Sequence, residues 1–126
     1  MKLRCVKDSI RLRLSKSDTQ KLLAEGSIME TLEIGPQNVF TFGLSLDSKV
    51  MDLSVTFAQG TLLVSVPAEL GKQWIDSQEV GIHNTLKEGK SGTSVLIEKD
   101  FPCKTRIEED KSDRFGELMG TEGEVC

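Results

Sequence analysis

Apolar and polar residues alternate at every second position in several separate stretches of this sequence. The clearest run is residues 40–46, where Phe, Phe, Leu and Leu alternate with Thr, Gly and Ser. Successive side chains of a β-strand point to opposite faces, so this period predicts strands with one buried face and one wetter face, next to antiparallel neighbours. Together with shorter apolar segments, the runs predict about eight mainly antiparallel strands, at residues 3–5, 10–14, 32–34, 40–46, 51–57, 62–66, 80–82 and 95–97.

Two segments between these runs have the signals of short helices. Ser15 or Ser17 can cap the first helix, with Asp18 or Gln20 completing a capping box, and Gly26 ends it. Pro67 ends a strand, and residues 68–76 form the second helix, which presents Leu70 and Trp74 four positions apart. In the first helix we expect two residues to face the core, Leu22 and Leu23. The predicted fold class is α+β.

The order strand, strand, helix, strand, strand occurs twice in this prediction. An offset of 52 residues aligns six apolar pairs, so residues 10–28 echo residues 62–80. A duplication would give a pseudo-two-fold barrel or a curved sheet with two helices. Alternatively, the periodicity of any small α+β protein offers such matches by chance. The aligned pairs are Ile10/Leu62, Leu12/Val64, Leu14/Val66, Leu22/Trp74, Leu23/Ile75 and Ile28/Val80.

The length of 126 residues fits one domain, which we place at residues 1–103. Residues 104–126 have no apolar period and form a polar, acidic tail that we expect to be flexible. No run of about 18 apolar residues is present, so we expect no membrane span. Three widely spaced cysteines argue against a disulfide framework and favour a reducing, cytoplasmic location. The chain has no cofactor-binding motif, so no cofactor is expected.

Charge is distributed unevenly along the chain. Residues 1–21 hold seven basic and two acidic side chains, although the whole chain has a net charge of −4. A nucleic-acid partner is disfavoured by this acidic total, because such domains are usually basic throughout.

The basic residues fall on one face of a predicted N-terminal hairpin. With a turn at Asp8-Ser9, Arg4 would lie opposite Arg13, and like charges directly opposite are unfavourable. Cys5 lies on the other, apolar face, so we expect it to be buried and inert. The charged face holds Lys2, Arg4, Arg11 and Arg13.

An anion would relieve the repulsion on this face. The sources within the chain are Glu30 and Glu33 or the acidic tail. The outside candidates are an acidic protein, a small anionic ligand or a second copy of the chain. Alternatively, the charges protect a solvated edge strand from aggregation. The preferred function is therefore a non-enzymatic binding or interaction domain that uses the basic hairpin face.

The alternative function is a small enzyme of unknown reaction that relies on Cys103 with Lys99 and Asp100. A nearby lysine could lower the pKa of the thiol, whereas the aspartate would oppose this. A small buried cysteine at the end of a strand is the simpler interpretation. His83 is expected to be a polar surface residue, and the spacing of His and Cys matches no metal site.

Three segments of the chain are distinctive: Ser9-Ile10-Arg11-Leu12-Arg13-Leu14-Ser15, Val66-Pro67-Ala68 with Trp74, and Glu98-Lys99-Asp100-Phe101 followed by Cys103. Together with the length, they resemble a family of small, uncharacterised bacterial proteins, a domain of unknown function. The resemblance covers residues 1–115 and implies a bacterial, cytoplasmic, single-domain protein. It carries no activity, cofactor or catalytic residue.

Overall fold

The structure, a computed structural model, describes residues 1–84, 92–101 and 115. In these ranges the chain forms eight strands and two helices, which confirms the predicted α+β class. The elements are β1 (Lys2–Val6), β2 (Ser9–Leu14), α1 (Lys16–Glu25), β3 (Ser27–Glu33), β4 (Val39–Asp47), β5 (Ser54–Ala58), β6 (Thr61–Pro67), α2 (Ala68–Asp76), β7 (Gly81–His83) and β8 (Ser94–Lys99). Apart from residue 115, the predicted tail lies outside the described residues, as does Cys103.

The strands form two four-stranded sheets, in the orders β1-β2-β8-β7 and β3-β4-β6-β5. Each sheet consists of two antiparallel pairs joined by a central parallel pair, β2 with β8 in the first sheet and β4 with β6 in the second. Most pairs are antiparallel, as predicted. The described residues form no closed barrel, and the alternative of curved sheets fits the structure.

One cluster of buried side chains joins both sheets and both helices. In β2, β6 and β8 the predicted alternation is confirmed, because these strands bury every second side chain. It is wrong at residues 32–34 and at the start of 51–57, because Leu32 and Ile34 are exposed and Met51 is exposed outside any strand. In the described ranges no helix is both long and apolar enough to cross a membrane. The cluster consists of Leu12, Leu14, Leu22, Ile28, Leu44, Leu53, Val64, Val66, Trp74, Ile82, Val95 and Ile97.

Helix α1 begins and ends as its sequence predicts. The Ser15 side chain accepts from the Asp18 backbone N–H, the Asp18 carboxylate accepts from the Ser15 N–H, and Gly26 ends the helix with a φ of 80°. The prediction for Leu23 is wrong, because this side chain is 40% exposed. The buried stripe of α1 passes through Thr19 and Leu22, and Leu23 lies about 100° away from Leu22 around the helix axis.

Helix α2 lies close to the second sheet. Its buried residues are Gly71 and Trp74, whereas Leu70 is partly exposed. A Cβ atom on Gly71 would lie 2.5 Å from Leu46 Cδ2 and 3.2 Å from Val66 Cγ1. The missing side chain at Gly71 therefore lets the helix approach β4 and β6.

The predicted register of the first hairpin is wrong, because the turn lies one residue earlier in the sequence than predicted. The turn residues are Lys7 and Asp8, so Arg4 lies opposite Arg11 and Lys2 lies opposite Arg13. Lys7 adopts a left-handed φ of 52°, which closes the turn one residue earlier than predicted. Each β1 residue therefore lies opposite a β2 residue two positions earlier than predicted. Because side chains alternate with a period of two, every side chain keeps its predicted face.

The prediction that Cys5 is buried is also wrong. Cys5 is an exposed free cysteine. It lies on the apolar face, but β1 is an edge strand and the core cluster does not extend to this end of it.

The two halves of the chain are arranged alike. An offset of 52 residues maps β1 onto β5, the start of β2 onto the start of β6 and the start of α1 onto the start of α2. It also maps the register of the first hairpin onto that of β5 with β6. Later elements shift slightly, so that Ile28 corresponds to the buried Ile82 rather than to the exposed Val80. A duplication remains a prediction, and the structure shows the matching arrangement.

Candidate binding face

Four basic side chains share the outer surface of the first hairpin, and we call this set the basic face. Leu12 and Leu14 are buried in the core, so Arg11 and Arg13, at the other alternate positions of β2, point away from it. The register places two pairs of cations directly opposite each other. The basic face consists of Lys2, Arg4, Arg11 and Arg13.

Carboxylates of β8 and the residue that follows it contact this face. Arg13 Nε donates to Glu98 Oε1 at 2.8 Å, and Arg11 Nε lies 3.6 Å from the same oxygen. Lys2 Nζ donates to Asp100 Oδ2 at 2.9 Å. The side chains of Arg13 and Glu98 are only 15% and 13% exposed, so solvent screens this pair less than a surface pair. Arg13 Nη2 is also buried and has no hydrogen-bond partner among the described residues.

These carboxylates are not the ones that the sequence suggested. Glu98 reaches Arg13 because β8 pairs in parallel with β2, which places the two residues in register across 85 positions. Glu30 instead contacts the amino group of Met1. The signal that could have identified Glu98 is its alternation with the buried Val95 and Ile97, which puts it on an outward face.

The second sheet has no charge at the matching positions. Lys2, Arg4, Arg11 and Arg13 correspond, 52 residues later, to Ser54, Thr56, Leu63 and Ser65. The two hairpins share one register, one turn length and the same strand order within their sheets. Formation of this hairpin therefore does not require the four cations.

The Met1 ammonium group lies between two carboxylates beside the first hairpin. Its nitrogen is 3.0 Å from Asp18 Oδ2 and 2.7 Å from Glu30 Oε2. Burial lowers the pKa of this amine, but the hydrogen bonds to Glu30 and Asp18 and their charges outweigh burial, so its pKa lies above 8.0. Burial likewise raises the pKa of Asp18, but hydrogen bonds from Ser15 and Met1 outweigh it and hold that pKa below 3.8. Through these two contacts, the residue before β1 binds to α1 and to β3.

Lys99 and Asp100, which belong to the alternative enzyme site, contact different parts of the fold. Lys99 Nζ donates to the backbone oxygens of Trp74 at 2.9 Å and Ser77 at 2.6 Å, and it lies 5.4 Å from the centre of the Trp74 ring. Lys99 thus satisfies carbonyl groups at the end of α2. Asp100 contacts Lys2 on β1, and Cys103 lies outside the described residues.

The histidine is placed as predicted. His83 is exposed in β7. Among residues 1–84, 92–101 and 115, no three His, Cys, Asp or Glu side chains lie close enough together to hold a metal ion.

A cavity of about 630 Å³ lies where the loop before β5 meets the ends of β7 and β8. Buried Leu53 and Val95 contribute apolar surface to it, and Met51 is almost fully exposed. The Asn84 side chain donates to the Thr93 oxygen and accepts from the Val95 N–H, so this amide joins the ends of two strands. The sequence has no motif that identifies this cavity.

Comparison with known proteins identifies one family. The model of a family of unknown function (DUF7009) matches residues 1–118 of the chain. No curated protein and no solved structure gives a significant match.

Proposed function

Given that this chain belongs to the DUF7009 family of unknown function, we propose that it is a binding protein whose basic face holds an acidic polypeptide segment. The observation that carries the proposal is the difference between the two hairpins. At matching positions of one shared register, the first hairpin has four cations and the second has none. Because the hairpin forms without these charges in the second sheet, their placement in the first favours a role in binding.

Protection of an edge strand accounts for only two of the four cations. Among the described residues Lys2 and Arg4 lie on an edge strand, β1, where charge opposes pairing with a second β1. Arg11 and Arg13 lie on β2, which pairs with β1 on one side and with β8 on the other, so neither of them protects an edge.

The chain itself provides the pattern that we expect in the partner. Glu98 and Asp100 are two residues apart on one segment, and both contact the basic face. A partner segment with acidic residues at alternate positions could extend along β1 and present its carboxylates to the face from the other side. Exposed ion pairs contribute about 0.2–1 kcal/mol each, so we expect weak binding that falls as salt rises.

An extended sheet surface suits a polypeptide better than a small anion. Small ligands are usually held in concave sites that bury most of their surface. The cavity next to β5 contains none of the four cations in its lining, which comes from the loop before β5, the start of β5 and the residues next to β7 and at β8.

The test compares a fluorescein-labelled peptide of alternating glutamate and threonine on three proteins. The Lys2→Ser/Arg4→Thr variant carries the residues found at the matching β5 positions, so we expect it to fold. The control, Lys49→Ser/Lys72→Ser, removes the same charge from two exposed sites elsewhere. We expect the dissociation constant, measured by fluorescence anisotropy, to rise at least fivefold in the first variant and to stay within twofold of wild type in the control.

Three results would overturn the proposal. The first is a wild-type chain that does not bind the peptide at low salt. The second is a Lys2→Ser/Arg4→Thr variant that binds it as tightly as wild type while circular dichroism shows an unchanged fold. The third is displacement of the peptide by inorganic phosphate more effectively than by sodium chloride of equal ionic strength, since that would identify a small-anion site.

A further inference from the structure

Within the described residues the two sheets have four edge strands, and three of these have features that oppose pairing with a second copy of the same strand. β1 has Lys2 and Arg4, β3 has Glu30 and Glu33, and β7 is only three residues long. Charged side chains and short length are the usual means by which edge strands avoid intermolecular pairing. β5, with the sequence Ser-Val-Thr-Phe-Ala, has no charge and no proline.

We propose that β5 pairs antiparallel with β5 of a second copy of the chain, so that the second sheets of the two copies form one continuous sheet. Among the described residues β5 pairs only with β6. Its counterpart in the first half, β1, has the same length and register but carries two cations on its outer face. At the same position in the fold, β1 therefore carries charges that oppose self-pairing, whereas β5 carries none.

The backbone of β5 has the correct orientation for this pairing. The two-residue turn Gln59-Gly60 closes on the pair Ala58 and Thr61, and hydrogen-bonded pairs alternate along the hairpin. The N–H and C=O groups of Val55 and Phe57 therefore point away from β6. A two-fold axis at Thr56 would place Val55 opposite Phe57 of the second copy, twice, with two hydrogen bonds in each pair.

The side chains of β5 also complement their own copies. Phe57 is 67% exposed, and its ring centre lies 6.5 Å from that of Phe40. Opposite Val55 of the second copy it would form an aromatic and β-branched pair, which is favourable across strands. On the outer face, Thr56 would meet Thr56.

This complementarity selects a second copy rather than an unrelated peptide. A two-fold axis brings identical residues together, so any charge at the centre of the strand would meet the same charge. An uncharged β5 is what a symmetric pairing requires, whereas a foreign strand would tolerate charge and could use it for specificity.

The test introduces into β5 the residue that β1 has at the matching position. Thr56→Arg places two arginines at the two-fold axis, and the fold already carries arginine at position 4. The control, Gln78→Arg, adds the same charge at an exposed site outside the sheets. By sedimentation velocity over a range of concentrations, we expect wild type and Gln78→Arg to approach the mass of a dimer. We expect the dissociation constant of Thr56→Arg to be at least tenfold higher.

A second variant and a second readout keep the test decisive. Phe57→Ser removes an exposed side chain and should weaken association even if Thr56→Arg does not fold. Amide hydrogen exchange at Val55 and Phe57 should slow as the concentration of wild type rises. Arg11→Leu places on the central strand β2 the residue that β6 has at the matching position, and it should associate like wild type, which separates this interface from the basic face.

The inference is overturned by any of three results. A wild-type chain that stays monomeric at the highest concentration overturns it, as does a folded Thr56→Arg variant that associates as tightly as wild type. Protection of the β5 amides that depends on an added foreign peptide, and not on the concentration of the chain, would assign the edge to a different partner.

Discussion

Lys7 and Gln59 have the same left-handed backbone conformation, each with a φ of 52°, and they are 52 residues apart. Each is the first residue of a two-residue turn, between β1 and β2 and between β5 and β6. Non-glycine residues rarely adopt this conformation, which costs about 1 kcal/mol or more. Its occurrence at both turns explains why the two hairpins share a register, although the residues differ.

Replacement of Gln59 by asparagine should stabilise the protein. Gly60 follows with a φ of 74°, so both turn residues have positive φ, the pattern for which Asn-Gly is the preferred pair. We expect Gln59→Asn to raise the free energy of unfolding by about 0.5–1 kcal/mol, measured by urea denaturation. Gln73→Asn, at an exposed position of α2, is the control and should cause no increase. A Gln59→Asn variant no more stable than wild type would contradict this interpretation.

A methyl group at Gly43 should destabilise the protein strongly. Gly43 lies in β4 opposite Met29, and a Cβ atom there would collide with the backbone oxygen of Ile28 and lie 2.5 Å from Met29 Sδ. Because the oxygen in its way is a backbone atom of β3, held by the pairing with β4, it cannot move aside easily, and we expect Gly43→Ala to cost about 2–3 kcal/mol. Ser45→Ala, two residues along the same face, is the control and should cost much less. Similar losses in the two variants would contradict the assignment of a close approach to Gly43.

Local signals in the sequence predict the elements of this fold but not how they are assembled. The period of two identifies strands because it reflects the pleat, and the capping box of Ser15 and Asp18 identifies the start of α1 because its hydrogen bonds lie within one turn. The parallel pairs have no local signal, since β2 and β8 are joined only through the rest of the chain.

The absence of a local signal for strand pairing also explains why the sequence did not identify Glu98 as the anion at the basic face. The outward direction of Lys2, Arg4, Arg11 and Arg13 follows from alternation and is therefore predictable. The identity of the neighbouring strand depends on tertiary pairing, so Glu98 was not among the expected anions. The exposure of Cys5 depends on where the core ends along an edge strand, which alternation does not encode.

The pair of Arg13 and Glu98 should contribute to stability chiefly by satisfying a charge that would otherwise be left without a partner. Both side chains are mostly buried, and Arg11 is 3.6 Å from the same carboxylate oxygen. We expect Glu98→Gln to lower the free energy of unfolding by about 2 kcal/mol, because it leaves arginines next to each other without that anion. Thermal or urea denaturation measures the loss.

A double-mutant cycle isolates this interaction from general effects of substitution. Arg13→Met retains the apolar stem and removes the charge, so Arg13→Met/Glu98→Gln should be more stable than Glu98→Gln alone. Additive losses, with no coupling between the two positions, would show that the pair contributes nothing beyond its separate side chains.

The ion pairs of Met1 give the stability a defined pH dependence. The pKa of the amine is raised above 8.0, so its contribution is fully present below pH 8.0 and is lost as the pH rises through the pKa in the folded state. The pKa of Asp18 is lowered below 3.8, so its contribution is present above pH 3.8 and is lost as the pH falls through the folded-state value. Both contributions are therefore present between these two limits.

Glu30→Gln should reduce the alkaline part of this dependence. It removes a carboxylate 2.7 Å from the Met1 nitrogen, and the Glu30 side chain is 41% exposed, so we expect a loss of about 0.5–1 kcal/mol at neutral pH. Urea denaturation of both proteins at pH 6, 8 and 10 measures the effect, and the difference between them should shrink as the amine loses its proton. Glu33→Gln, at an exposed site in the same strand, is the control, because its difference from wild type should not depend on pH. A constant difference between wild type and Glu30→Gln across the three pH values would show that Glu30 does not stabilise the charged amine.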